Sequence, residues 1–189
     1  MSEVLMGTKG FSYKVSESLG LFSKWAIKCH QDTNHYYDDY LPYEFHLRMV
    51  VENGKKFLHL VKDELREDTM KGCWGHDLIE DARQNYNSIL KNSNKYVAEI
   101  CRACCNLTRG RDRDERMPDW IYQDIFNTPG AVFVKLCDRM ANVQYSKLTG
   151  SSMFNKYKKE HAHFKEMLYS KEAGLDEMWE YLETLFNAA

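Results

Sequence analysis

His46, His76, Asp77 and Asp138 are the residues of this chain whose types and spacing could do chemistry together. Imidazole nitrogens mixed with carboxylate oxygens suit manganese, iron, cobalt or zinc better than calcium or magnesium. Four such donors leave room on a five- or six-coordinate ion for water and a substrate oxygen. An ion held this way polarises a phosphoryl group and acidifies its water. Each residue alone has a plainer reading. His46 in "LPYEFHLRMVV" could be a satisfied histidine beside the apolar stripe of Phe45, Met49 and Val50. Asp138 is harder to dismiss. It sits in "AVFVKLCDRMANVQY" among Val134, Leu136, Cys137, Met140 and Val143, where a carboxylate needs a cation or hydrogen-bond partners. Arg139 is its neighbour in sequence and points elsewhere on a helix.

The stretch "GCWGHDLIEDARQNY" adds Glu80-Asp81 four residues after His76-Asp77. On one helix these doublets would stack on a single side, because residues four apart are neighbours. That arrangement places water-handling carboxylates beside a metal site; the plain alternative is a solvated polar face. Lys135 lies one turn before Asp138 and is a candidate cation for substrate phosphate. The connection "DTNHYYDDYLPY" brings His35, Tyr36 and Tyr37, and its tyrosines can stack on a purine.

Helices must position these groups. Apolar residues recur at i, i+3 and i+4, proline is scarce, and strand-type alternation is hard to find, so the fold predicted is all-α. The pattern predicts helices over 16–31, 44–66, 70–82, 86–106, 117–127, 130–148, 153–169 and 174–187, the last packed by Leu175, Trp179, Leu182 and Phe186. The 189 residues suffice for one domain with a sizeable core. With 43% hydrophobic and 29% charged residues the chain reads as folded and soluble. A net charge of -2 gives no global basic field for nucleic acid or an anionic membrane. There is no run of eighteen apolar residues and no signal-peptide pattern, so a cytoplasmic location is expected. Six cysteines fit a reducing compartment, and the Cys101-Cys104 CxxC has no second pair at zinc-site spacing, so these are expected to be core thiols.

The order His46, His76-Asp77, Asp138 resembles the signature of the HD phosphohydrolase superfamily. "HDLIED" resembles the HDxxED motif of RelA/SpoT-type alarmone hydrolases, which remove the 3′-pyrophosphate from (p)ppGpp with manganese. "VKLCDRMANV" is similar to their KLADRxxN segment, and "RGRDRDERMPDWIYQDI" and "YKKEHAHFKEML" are similar to stretches of small stand-alone members. The similarity covers about residues 19–168.

The resemblance implies an all-α HD-domain helical bundle in a single domain spanning 1–189, with its core at about 19–168 and a peripheral helix at about 174–187. It implies Mn²⁺, or another divalent transition metal, held by His46, His76, Asp77 and Asp138. Glu80 and Asp81 would position and deprotonate the attacking water, and Asn142 would contact a small nucleotide. Nothing resembles a synthetase motif, so the implied activity is hydrolysis alone. The chain departs from the family before His46. There His35 and Tyr36 stand near an expected Arg-Lys pair that packs on guanine, and Asp38-Asp39 add negative charge. Tyr36 or Tyr37 would then carry the base, and Lys135 or the arginines of "TRGRDRDERM" the phosphates. Two other functions use the same residues. One is hydrolysis of another nucleotide, (p)ppApp or a deoxynucleoside monophosphate; the other is a non-catalytic, nucleotide-binding HD domain.

Overall fold

The helix that carries Asp138 runs Ala131–Leu148 and is buried around most of its circumference, as a central helix must be. The computed structural model describes residues 16–106 and 117–187. In chain order its helices are α1 (Glu17–Asp32), α2 (Glu44–Phe57), α3 (Arg66–Gly75), the short α4 (Leu78–Asp81), α5 (Tyr86–Asn92), α6 (Lys95–Cys104), α7 (Asp119–Asn127), α8 (Ala131–Leu148), α9 (Met153–Leu168) and α10 (Asp176–Asn187). The all-α helical bundle expected from the sequence is the architecture found. Helix α8 packs against α2, α3, α6, α7, α9 and α10, and Leu175, Trp179, Leu182 and Phe186 seat α10 as expected. No helix among the described residues is long and apolar enough to cross a membrane. Cys101 and Cys104 are free, buried thiols of the core.

Two glycines set the depth of the site. A Cβ at Gly72 would stand 2.9 Å from Ile100 Cγ2 of α6. One at Gly75 would stand 2.9 Å from Cys101 Sγ and 3.1 Å from Phe22 Cζ of α1. Their bare backbone lets α1, α3 and α6 close together immediately ahead of His76.

Three predicted helices are corrected. The span 44–66 ends as α-helix at Phe57 and continues as two 3₁₀ turns, Leu58–Leu60 and Asp63–Leu65. The carbonyls released there are capped by Arg66, whose Nε donates to Leu58 O and Val61 O at 3.1 Å each. The span 86–106 is two helices, because Asn94 starts a new one: its side chain accepts from Val97 N at 3.1 Å. A run of cap-forming residues, "NSN", was the available signal. The span 70–82 breaks at His76-Asp77, where Asp77 adopts φ −103 and ψ 4.

The connection after α1 is also more ordered than a loop. Tyr36–Tyr37 (β1) and Leu41–Pro42 (β2) pair antiparallel, Tyr36 against Pro42 and Tyr37 against Leu41. Asn34 (φ 53) and Asp38 (φ 57) take the left-handed conformation that their short polar side chains tolerate best after glycine.

Candidate metal centre

Helix α2 opens directly after the hairpin, which puts His46 in its first turn. His76 follows the last residue of α3, and Asp77 precedes α4. Asp138 projects from the middle of α8. All four are buried. His46, His76 and Asp77 each place a donor atom within 4.8 Å of the others. His46 Nε2 lies 3.3 Å from His76 Nε2, 3.7 Å from Asp77 Oδ2 and 3.4 Å from Asp138 Oδ1. His76 Nε2 lies 2.8 Å from Asp77 Oδ2 and 3.8 Å from Asp138 Oδ1. Donors held at about 2.1 Å from one ion stand roughly 3–4 Å apart, so His46, His76 and Asp77 could hold a single divalent metal; Asp138 is not part of that three-residue group, although its Oδ1 lies near both imidazoles.

The surroundings fit as well. His76 Nδ1 lies 3.0 Å from Cys73 O, which can accept its N–H. That bond turns the Nε2 lone pair toward the cluster. His46 Nδ1 is buried with no hydrogen-bond partner in the structure. Lys135 Nζ sits 2.9 Å from Asp138 Oδ2, the oxygen turned from the imidazoles. Burial disfavours charge on Asp138, yet Lys135 and the two histidines outweigh it and hold the carboxylate well below the usual range. Burial likewise opposes charge on His76, and Asp77 and Asp138 overcome it, lifting the imidazole to about 9.

Glu80 and Asp81 do not stack under His76-Asp77 along one helix, because the break intervenes. Glu80 stands at the solvent edge, its Oε2 accepting Asn106 N–H at 2.9 Å. Asp81 is half-buried, with Oδ2 4.0 Å from His35 Nε2. Partial desolvation and then the charge of Asp77 raise both carboxyls, Asp81 to about 7. Such a group is suited to taking and returning a proton near neutrality.

The remaining predicted residues fall into place unevenly. Asn142 Nδ2 donates to Asp138 Oδ1 at 2.5 Å, and its Oδ1 accepts from Tyr37 Oη at 3.0 Å. Tyr37 lies over His46, ring centroids 4.7 Å apart and 20° from parallel, so one face of that ring is already covered. Tyr36, the next residue back, is exposed. Lys135 serves first as the partner of Asp138. Arg109, Arg111, Arg113 and Arg116 lie outside the described residues.

Two residues of the site escaped sequence reading. Tyr43 is buried, donates its hydroxyl to Asp77 Oδ2, and packs against both His30 and His35 at centroid distances of 4.4 and 3.9 Å. His30 is buried, its Nδ1 3.0 Å from His35 Nδ1, and burial pushes it down to about 3. Tyr43 precedes His46 by three residues, a spacing that already places both on one side of a helix start. Tyr43→Phe should keep the fold and weaken divalent-ion binding by about 10–100-fold, the usual cost of losing a group that orients a ligand. Titration calorimetry with Mn²⁺ measures it, and an unchanged affinity would show that Asp77 needs no such partner. Comparison with protein-family models and with curated proteins returned no match to this chain.

Proposed function

We propose that the protein is a metal-dependent phosphohydrolase that removes the 3′-pyrophosphate from a (p)ppGpp-like nucleotide. The observation that carries this reading is the convergence of His46, His76, Asp77 and Asp138 beside two carboxyls of raised pKa, Glu80 and Asp81. The motif resemblance supplies the substrate.

In this reading the four donors hold one divalent ion. When bound, it supplies positive charge to the phosphoryl group and to the attacking water. The chain's residues do the rest. Asp81 accepts the proton of the attacking water at a carboxylate oxygen, and Glu80, fixed by Asn106 N–H, orients that water. Lys135 balances Asp138, which would otherwise repel the incoming phosphoryl oxygens. Tyr43 and the Cys73 carbonyl fix the angles of Asp77 and His76.

A second reading has a specific observation behind it. The hairpin brings Asp38 toward Asn142 where cations would suit a polyphosphate, which favours a nucleotide with a single phosphate, cleaved as a monoester. The products separate the two. With Mn²⁺ and a panel of ppGpp, pppGpp, ppApp and deoxynucleoside monophosphates, pyrophosphate release is expected from the first three. Orthophosphate from the monophosphates alone would replace the first reading with the second, and no product at all would reject both.

A further inference from the structure

Successive residues of a strand point to opposite sides, and the hairpin uses this to separate two cavities. Tyr36 lines one of about 220 Å³ with His30, Asn34, His35 and Tyr43. Tyr37 lines another of about 170 Å³ with Asp38, Asn142, Tyr145, Ser146 and Tyr157, among others. The second cavity adjoins the metal donors, because Asn142 is bonded to Asp138 and Tyr37 lies on His46. It is smaller than the roughly 300–1,000 Å³ that takes a whole small ligand, so it accommodates one end of a substrate. Among the described residues lining it, Asp38 is the one that carries a charge.

We infer that Asp38 determines specificity by reserving this cavity for the uncharged end of the substrate, a sugar hydroxyl or a base amine. The inference rests on the second form of the hydrolase reading, monoester cleavage, and deepens it: nucleotides phosphorylated at one position are preferred over (p)ppGpp-like nucleotides phosphorylated at two. The chemistry of the lining is one-sided. Asp38 Oδ2 accepts from Tyr145 Oη at 2.8 Å, and a carboxylate offers its remaining lone pairs only to donors. Hydroxyl and amine groups are donors. A phosphate dianion is an acceptor and a like charge, and among the described residues the lining has no Lys, Arg or His to offset it. The Tyr145 hydrogen bond and the left-handed backbone at Asp38 keep the carboxylate turned to the cavity.

Asp38→Asn is a clean test. Asparagine accepts the left-handed conformation as readily as aspartate, still accepts from Tyr145, and removes the charge alone. Calorimetry on Mn²⁺-loaded protein would compare guanosine 5′-monophosphate with guanosine 3′,5′-bisphosphate. Wild type should bind the monophosphate at least ~10-fold more tightly, about 1.4 kcal/mol. Asp38→Asn should erase most of that difference by tightening the bisphosphate. Asp39→Asn removes an equal charge from the same exposed turn but outside the cavity lining, and it should leave the preference as it was. The inference fails if wild type shows no preference, if neither ligand binds, or if the two variants behave alike. Failure of hydrolysis is a separate outcome. A protein with the Asp38-dependent preference and no turnover would refute the hydrolase reading alone, whereas turnover without the preference would refute the role of Asp38 alone.

Discussion

Replacing Asp138 with alanine should leave the protein without a bound divalent ion and without phosphohydrolysis, while its circular dichroism stays helical. Asp138 is the donor that α8 contributes, and its Oδ1 closes the cluster against both imidazoles. The change has a stability cost of its own. It leaves the largely but not fully buried Lys135 without its carboxylate, and breaking a fully buried ion pair costs about 3–5 kcal/mol, an upper bound here. That is a large part of the about 5–15 kcal/mol that holds a domain together. Asp138→Asn therefore belongs beside it, since it keeps the side-chain volume and a hydrogen-bonding partner for Asn142. Metal analysis after equilibration with Mn²⁺ and dialysis is the measurement. One ion per chain is expected in wild type and none in Asp138→Ala. Full occupancy in both variants would remove Asp138 from the ligand set.

The second large effect separates chemistry from metal binding. Glu80→Gln and Asp81→Asn should each keep the ion yet lose at least ~10²-fold in kcat, the lower range for a positioned general base. Unlike Asp77 and Asp138, neither carboxylate comes within ion-pair distance of His46 or His76, so occupancy should not move. The Asp81 variant should lose more, because its carboxyl is the one raised to about 7. Near-normal turnover in both variants would reduce the pair to a solvated polar face.

The helical class and the last helix, packed by Leu175, Trp179, Leu182 and Phe186, were legible because apolar periodicity reports burial directly. Asp138 was legible for the converse reason: a carboxylate amid Leu136, Cys137 and Met140 violates that pattern and demands a partner. Backbone breaks were less visible. Nothing in "HLVKDELR" is proline or glycine, and α2 ends there because Arg66, later in the chain, caps carbonyls at Leu58 and Val61. Tyr43 was missed because a tyrosine before a helix reads as an apolar flank, whereas its function lies in a hydroxyl reaching Asp77, 34 residues away in sequence. The hairpin was read as a linker because two-residue strands are too short to show alternation.

The interruption at His76-Asp77 has a consequence for engineering. Adjacent residues on an unbroken helix diverge by about 100° around its axis, so they cannot both face one point. Here His76 Nε2 and Asp77 Oδ2 stand 2.8 Å apart, a convergence that belongs to the break and not to either helix. Substitutions chosen to raise helix propensity across 70–82, a common way to raise thermal tolerance, would favour the continuous rod that the periodicity alone suggests. Such a protein would gain in melting temperature by turning two ligands apart. At this position resistance to heat and the proposed metal binding would be traded against each other, and the second would be kept by leaving the helix imperfect.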